Sequence, residues 1–521
     1  MSKKNITINF FASGIVFIVS FAISFFLSPF LISTLGEEAY GFYNLGTQFI
    51  SYAGIVTLAI NSMAGKFVTI SLYRDEIRAK RYFCSTFYGN IIVSIVLAIV
   101  SAFFILNIQR FLNISDSILS DVKVLWTLMF SSFIIGLIFN VFSIAAFSKN
   151  KIYLDSVSKL VQSIIKAFTL VFLYSVFVPR IWYLGFSSVL CAFFAAGFGI
   201  IITKKLLPTF NLKKQFFSWR SMGEQISAGA WNSLMQFAGV LSNGLDLLLT
   251  NIFVNPVSMG IMAVAKTIPT YLTQINYTFV SAFIPQITIS YAEGNKREMI
   301  GHIVFCHKIM TVVMCIPTVL IAVYGKEFFF LWMPTINTYG VQIVSLVTLS
   351  IYFILGPISA LNEVISITNK HRMVAITFTG AGLLNIAIVA WLLHVIKNAG
   401  YSELWGIDIE IIKMAIIAGI SAVIELLRNL IFTPLYAAKC INEKWTCFYP
   451  MILKGLLISG ICIVISGIIR RVFCPNTWIL LIVCFVISTL CMFVVSIALL
   501  FNRKELHGLW GYVKEKINNR Q

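Results

Sequence analysis

The stretch ITINFFASGIVFIVSFAISFFLSPFLI, residues 6–32, decides the class of fold because it contains no charged side chain. A helix of about 20 apolar residues crosses a hydrocarbon core of about 30 Å. Lys3 and Lys4 precede the stretch, as basic residues precede the apolar region of a secretory signal peptide. The stretch is longer than such a region and shows no small-residue cleavage site. We therefore expect it to be a retained first transmembrane helix.

The composition of the whole chain agrees with a location in the bilayer. Apolar residue types make up 59% of the 521 positions and charged types only 11%, and the mean hydropathy is +0.90. A soluble domain carries roughly 25% charged residues. So few charges cannot solvate the surface of a globular protein of this size, and a soluble enzyme is excluded.

Fourteen apolar segments have the length and periodicity of transmembrane helices, and we number them spans 1 to 14. They cover residues 5–34, 40–72, 81–107, 122–148, 152–176, 180–203, 222–253, 256–292, 299–324, 338–367, 373–396, 409–437, 446–469 and 476–501. The sequence therefore predicts an all-α integral membrane protein with about 14 transmembrane helices. An even number of spans places both termini on one side of the membrane.

Basic residues between the spans indicate the orientation of the chain. One set of alternate segments, which includes 204–221 and 502–521, holds most of the lysine and arginine residues outside the spans. The opposite set holds only Arg110, Lys123, Arg180, Lys326, Lys397, Arg470 and Arg471. Because lysine and arginine concentrate on the cytoplasmic side, we expect both termini in the cytoplasm. The net charge of +19 is explained by topology, and no nucleic-acid partner is expected.

The position of the longest basic loop suggests two halves of six spans each. The predicted parts are an N-lobe (1–203, spans 1–6), a cytoplasmic basic loop (204–221), a C-lobe (222–437, spans 7–12), two additional helices (438–501) and a cytoplasmic amphipathic tail (502–521).

An internal repeat supports this division. A shift of 219 positions places Gly41 on Gly260, and VTIS at 68–71 on ITIS at 287–290. The glycine match lies at the start of the second helix of each half, and the four-residue match lies at its end. Six spans per half give the halves the same orientation, so an axis along the membrane normal relates them.

Amides and lysines within spans 2, 5, 7 and 8 form the predicted substrate-binding cavity. Amides and charges at bilayer depth normally face a cavity or a partner. At 1.5 Å per residue Lys166 lies about 20 Å from residue 152, too deep for its ammonium group to reach the cytoplasmic surface. Polar pairing between helices, or pairing of a lysine with an acid, is the structural alternative. The candidates are Lys66, Lys166, Lys266, Asn44, Gln48, Asn61, Asn232, Gln236 and Gln274.

The remaining charges inside spans are candidates for coupling or for structural ion pairs, and they are Asp246, Glu363, Glu425 and Arg428. The last two are three residues apart on one helix, which favours a local pair. The five histidines are dispersed, the ten cysteines contain no C-x-x-C pair, and no nucleotide-binding glycine loop occurs. We therefore expect no catalytic residues, no metal and no cofactor, and a transporter rather than an enzyme.

Two motifs resemble the polysaccharide transporters of the Wzx type. These are LGEEAYGFYNL at 35–45 and NSMAGK at 61–66, the latter followed by a basic loop and CST at 84–86. The Wzx type belongs to the MOP superfamily, with the MATE drug exporters and the lipid II flippases of the MurJ type.

The resemblance implies a flippase of the bacterial cytoplasmic membrane. Its two lobes open alternately and carry undecaprenyl-diphosphate-linked oligosaccharide, a repeat unit of O-antigen, capsule or a related polysaccharide, to the outer leaflet. The implied partners are this substrate, membrane lipids, a polysaccharide polymerase and chain-length regulators. Two features depart from the Wzx pattern: fourteen helices, as in the MurJ type, and Lys66 where arginine is usual.

Three alternatives remain open from the sequence. A lipid II flippase of peptidoglycan synthesis shares the helix count. A MATE-like antiporter of cationic drugs requires an acidic cavity, and the lysines count against it. A membrane-embedded glycosyltransferase or polymerase requires large outer loops, whereas loops such as 108–121 and 397–408 are short.

Overall fold

The computed structural model describes residues 3–149, 151, 153–368, 370–399, 402–404 and 406–501. The predicted tail 502–521 lies outside them. The helices are α1 (Lys3–Leu35), α2 (Glu37–Leu72), α3 (Glu76–Leu106), α4 (Ile108–Phe111), α5 (Asp116–Phe139), α6 (Ser143–Ser148), α7 (Tyr153–Val176), α8 (Tyr183–Leu206), α9 (Trp219–Asn243), α10 (Asp246–Phe253), α11 (Pro256–Ala265), α12 (Thr267–Ser281), α13 (Ile284–Ala292), α14 (Lys296–Trp332), α15 (Thr338–Leu349), α16 (Tyr352–Ile367), α17 (His371–Ala399), α18 (Ile409–Leu427), α19 (Thr433–Cys440), α20 (Tyr449–Phe473) and α21 (Trp478–Leu500).

Short elements complete the described chain. Three-residue helical turns occupy Asn140–Phe142 and Lys214–Phe216, and Arg428–Phe432 forms a π-helical turn. The strands β1 (Glu403–Leu404) and β2 (Ile407–Asp408) pair antiparallel.

The predicted all-α membrane architecture is confirmed. Eleven helices of the described chain are long and apolar enough to cross a membrane, and they correspond to spans 1–6, 9–11, 13 and 14. Spans 7, 8 and 12 are each divided into consecutive helices at the predicted positions, namely α9–α10, α11–α13 and α18–α19. Every predicted span is therefore helical.

Proline explains the interruption between α11 and α12. Pro269 has no N–H and cannot donate to the carbonyl of Ala265, one turn earlier. The hydroxyl of Ser345 donates to that carbonyl at 3.2 Å. A buried carbonyl released by proline thus finds a side-chain partner, as backbone groups away from water require.

The π-helical turn that precedes α19 follows the same rule. Pro434 cannot donate to the carbonyl of Leu430, four residues earlier. The hydroxyl of Tyr449 donates to this oxygen at 2.9 Å. The irregular turn is therefore stabilised by the start of α20.

Helix α14 extends about two turns beyond the predicted end of span 9. Lys326 and Glu327 interrupt the apolar pattern and made this region resemble an outer loop. Arg470 of α20 neutralises the acid, with its Nη2 atom 2.7 Å from Glu327 Oε1. Phe328 and Trp332 then pack together with ring centroids 5.4 Å apart, which continues the helix.

The chain forms two compact units. Unit 1 comprises residues 1–263 and 378–383, and unit 2 comprises 264–377 and 384–521. The boundary lies within α11 and not at the loop 204–221, because α9 packs along α2 within unit 1. The division into two six-helix lobes remains a prediction.

In unit 1 residues 207–218, between α8 and α9, form an ordered segment that we call the strap. Leu207 and Phe210 are buried in an apolar cluster with Tyr82 and other residues at the adjoining ends of α2 and α3. Ser218 donates its backbone N–H to the hydroxyl of Ser85 at 3.0 Å, and this hydroxyl lies 3.1 Å from the Ser218 carbonyl. The strap therefore fixes the start of α9 on α3.

In unit 2 the last two helices pack against α14. The Tyr324 hydroxyl lies 3.0 Å from the carbonyl of Ser466 and 2.8 Å from the hydroxyl of Ser488. Tyr324 is fully buried. Helices α20 and α21 are thus joined to unit 2 by buried hydrogen bonds as well as by apolar contact.

Candidate functional site

A polar face of α7 forms the framework of the candidate site. Asp155, Lys159, Gln162 and Lys166 recur every three or four residues, so they lie on one face of the helix. Asp155 belongs to the first turn and Lys166 to the middle of α7. The polar face thus extends from the predicted cytoplasmic end into the interior of the membrane.

Lys166 is held by Tyr43 of α2. Its Nζ atom donates to the Tyr43 hydroxyl at 2.8 Å and lies 5.3 Å from the centroid of the ring, within the range of a cation–π interaction. Lys166 is half-buried. The structure thus places the ammonium group of a lysine near the middle of α7, in contact with the hydroxyl and the ring of a tyrosine. Tyr43 was not a predicted site residue, although it lies within the motif at 35–45.

Below Lys166 the polar face borders a cavity of about 290 Å³. The side chains of Asp155, Lys159 and Gln162 line one wall. The opposite wall is α8, where small residues leave the space open; these are Ala192, Ala195, Ala196 and Gly199. The end of α5 and the start of α6 supply Phe139, Asn140 and Ser143.

Asn61, a predicted cavity residue, joins helices in an amide cluster. Asn61 and Asn90 exchange two hydrogen bonds of 2.9 and 3.0 Å. Asn140 donates to Asn61 Oδ1 at 3.2 Å and also lines the cavity. Asn61 therefore acts as a polar contact between helices. Asn90 was not predicted as a site residue, although an amide within the very apolar span 3 could have indicated it.

Lys66 is exposed in the C-terminal half of α2. It follows Tyr43 by 23 residues on one uninterrupted helix, which separates their Cα atoms by about 34 Å. Lys166 lies beside Tyr43, so one diphosphate group cannot contact Lys66 and Lys166 at the same time. Whether either lysine contacts a substrate remains a prediction.

Two predicted amides of α2 bond within their own helix. Asn44 Nδ2 donates to the carbonyl of Tyr40 at 2.9 Å. The Tyr52 hydroxyl lies 3.3 Å from Gln48 Oε1, and its proton is donated to the carbonyl of Gly244. These side chains are half-buried.

Span 7 carries exposed amides and a buried acid. Asn232 and Gln236 are exposed on α9. Asp246 begins α10 and is 2% exposed, and its carbonyl accepts from the hydroxyl of Thr250 at 2.7 Å. Exposed amides at bilayer depth are typical of a helix that lines an aqueous space.

In unit 2 the predicted residues lie on several elements. Lys266 is half-buried and occupies the interruption between α11 and α12. Gln274 is exposed on α12, on the same helix face as the exposed Thr270 and Tyr277. Glu363 is half-buried on α16. This unit therefore also presents a polar helix face within a predicted span.

Glu425 and Arg428 lie close together at the junction of α18 and the π-helical turn. Arg428 Nη2 is 3.4 Å from Glu425 Oε1, and the two side chains are 11% and 18% exposed for arginine and glutamate respectively. Arg428 Nη2 also lies 3.4 Å from Asn429 Oδ1. The geometry is that of a local ion pair within an irregular helix.

The described residues include no group of three or more His, Cys, Asp or Glu side chains arranged to hold a metal ion. The ten cysteines are free thiols. The arrangement provides charge, amides and aromatic surface.

The chain has relatives among curated proteins and among solved structures. No protein-family model matches the sequence. EpsK of Bacillus subtilis (strain 168), described as an uncharacterized membrane protein, is 25% identical over 512 residues, which cover 96% of each chain.

Two solved structures show the fold. A multidrug resistance MATE family transporter of the MOP superfamily, in an inward-facing conformation, has a TM-score of 0.64 at 11% identity and covers 81% of this chain and 95% of its own. The lipid II flippase MurJ, in an inward closed conformation, has a TM-score of 0.63 at 14% identity over 93% of this chain and 98% of its own. The protein is a multi-pass membrane protein with the fold of the MOP-superfamily transporters.

Proposed function

We propose that the protein is a flippase for undecaprenyl-diphosphate-linked oligosaccharide. It moves a polysaccharide repeat unit from the cytoplasmic to the outer leaflet of the bacterial cytoplasmic membrane by alternating access, and both of its termini are cytoplasmic. The observation that carries the proposal is the ammonium group of Lys166, supported on Tyr43 at mid-helix. Its partners are this substrate, membrane lipids, a polysaccharide polymerase and chain-length regulators.

The chemistry of the substrate explains the need for such a lysine. A diphosphate loses its hydration when it enters an apolar layer, and desolvation of an unpaired charge is very costly. A lysine is a compact point charge that binds phosphate in many orientations. Lys166 therefore offsets part of this cost within the membrane.

Two lysines at two depths fit a movement in steps. Lys66 is exposed near the inner end of α2, and Lys166 lies about 34 Å away along the helix axis. The diphosphate meets Lys66 from the cytoplasmic side and Lys166 later. Lys266 of unit 2 lies at a helix interruption and is half-buried, and we propose that it contacts the diphosphate at a further step.

Reconstitution of the full chain in proteoliposomes tests the function. The probe is a polyprenyl-diphosphate disaccharide in the vesicle membrane, and an added impermeant glycosidase reports its transfer between leaflets. We expect complete digestion with the protein and about half without it. Digestion of only half in both samples, together with transport of a cationic dye, would assign the chain to the drug antiporters instead.

A second candidate is the flipping of lipid II. The alignment with the lipid II flippase MurJ covers 93% of this chain, against 81% with the MATE transporter. The same vesicles loaded with lipid II discriminate the two substrates. We expect faster transfer of the disaccharide probe; the reverse order would favour peptidoglycan synthesis.

A further inference from the structure

We infer that the cavity between α5, α7 and α8 is a sugar-binding subsite, which takes the sugar directly attached to the diphosphate. This inference rests on the proposed function and deepens it. Lys166 is one helical turn from Gln162, at the upper end of the cavity wall. A diphosphate bound at Lys166 thus places its attached sugar next to the cavity.

The charge of the cavity gives the diphosphate itself no net attraction. Asp155 and Lys159 both line the wall, so one negative and one positive group offset each other. The ammonium group attracts a diphosphate while the carboxylate repels it, and the reverse holds for a simple cation. A neutral ligand with many hydroxyl groups meets neither penalty.

The polar groups match the hydroxyls of a sugar. A carboxylate such as that of Asp155 accepts from two neighbouring hydroxyls, and an ammonium group donates to a third. Asp155 is half-buried and lines the cavity. Its carboxylate is therefore accessible to the hydroxyl groups of a ligand in the cavity.

Amides and aromatic rings complete the lining. Gln162 lines the cavity, and its Nε2 atom donates to the hydroxyl of Ser158 at 3.1 Å. Phe139 and Phe198 also line the cavity. An aromatic face packs well against the C–H face of a sugar ring, while the polar groups fix its orientation.

The size of the cavity limits the ligand to a small part of the oligosaccharide. Its volume of about 290 Å³ corresponds to about ten waters at about 30 Å³ each. This space accommodates about one or two sugar rings. Ala192, Ala195 and Gly199 create it, since larger side chains at these positions would fill it.

Two pairs of matched variants test the subsite in the full-length protein in nanodiscs. Asp155→Asn removes the charge without changing size, and its control is Asp116→Asn, an exposed acid at the start of α5. Ala195→Leu fills the cavity, and its control is Gly197→Leu on the same helix, where an added Cβ meets nothing within 4 Å.

Binding of two probes is measured by native mass spectrometry. One is a short-chain polyprenyl diphosphate without sugar, and the other is a set of four such lipids that carry glucose, galactose, N-acetylglucosamine or N-acetylgalactosamine. We expect the preferred sugar to improve wild-type binding at least tenfold. Asp155→Asn and Ala195→Leu abolish this preference, retain binding of the sugar-free probe, and differ in both respects from their controls.

The failures are distinguishable. If wild type binds the sugar-free probe but gains nothing from any sugar, or if the cavity variants weaken both probes equally, the sugar subsite is wrong and the flippase proposal stands. If wild type binds neither probe, the proposed function is contradicted and the subsite with it.

Discussion

Gly41 of α2 and Gly260 of α11 contact each other through their backbones. A Cβ atom on Gly41 would lie 3.0 Å from the nitrogen and 3.2 Å from the Cα of Gly260. These glycines are also the pair that the 219-residue shift places at equivalent positions. A residue and its two-fold equivalent meet only at the axis that relates them, so the contact agrees with the proposed repeat.

The close approach predicts a strong effect of a single methyl group. A Cβ on Gly260 would overlap the carbonyl of Glu37, which is backbone and cannot move aside cheaply. We expect Gly260→Ala to destabilise the protein by about 1–3 kcal/mol, seen as a lower thermal unfolding temperature in detergent. Gly239→Ala is the control, since its added Cβ meets nothing within 4 Å. Equal unfolding temperatures for the two variants would refute the contact.

The hydrogen bonds of Tyr324 are expected to stabilise the packing of α20 and α21 against α14. Tyr324→Phe removes the hydroxyl that contacts both Ser466 and Ser488, and unpaired buried polar groups cost about 1–3 kcal/mol. We expect earlier thermal unfolding and greater access of proteases to the link between α20 and α21. Tyr339→Phe, at an exposed position, leaves both unchanged. A Tyr324→Phe variant as stable as wild type would show that apolar packing alone holds these helices.

The spans could be predicted from sequence because each is specified locally. An apolar run such as 6–32 requires a helix in the bilayer whatever surrounds it. The extension of α14 escaped prediction because Lys326 and Glu327 resemble a loop until Arg470, far along the chain, provides a partner for the acid.

The candidate site was only partly predictable for a related reason. The polar face of α7 is visible as a spacing of residues, and Lys166 was singled out by its depth. Tyr43, which supports it, is 123 positions away. The cavity exists because Ala195 and its small neighbours on α8 have short side chains. Small residues are also common where apolar helices simply pack together, so they do not predict a cavity from the sequence.

Reporter fusions test the proposed topology. Fusions after residues 110, 326 and 400 are expected to report the outer side of the membrane, and fusions after 76, 212 and 515 the cytoplasm. A cytoplasmic signal at 400 would contradict the arrangement of twelve helices plus two.

Stepwise movement predicts how two lysine substitutions combine. Lys66 and Lys166 lie too far apart to act on one diphosphate at once, and distant sites with separate roles behave additively. Capture of the diphosphate at Lys66 is expected to be a reversible step that precedes the slow crossing at Lys166, so the loss of capture and the loss of crossing rate multiply in the double Gln variant at limiting substrate. A double variant no slower than Lys166→Gln alone would contradict this order of contacts.

The rate of flipping in proteoliposomes that contain Lys166 variants tests the central claim most directly. We expect Lys166→Gln to slow transfer of the diphosphate-linked probe at least tenfold, Lys166→Glu to slow it further through repulsion, and Lys166→Arg to retain part of the rate. Lys123→Gln, on the predicted outer side, controls for loss of one positive charge. A Lys166→Gln variant that flips the probe as fast as wild type, at equal protein content, would contradict the account.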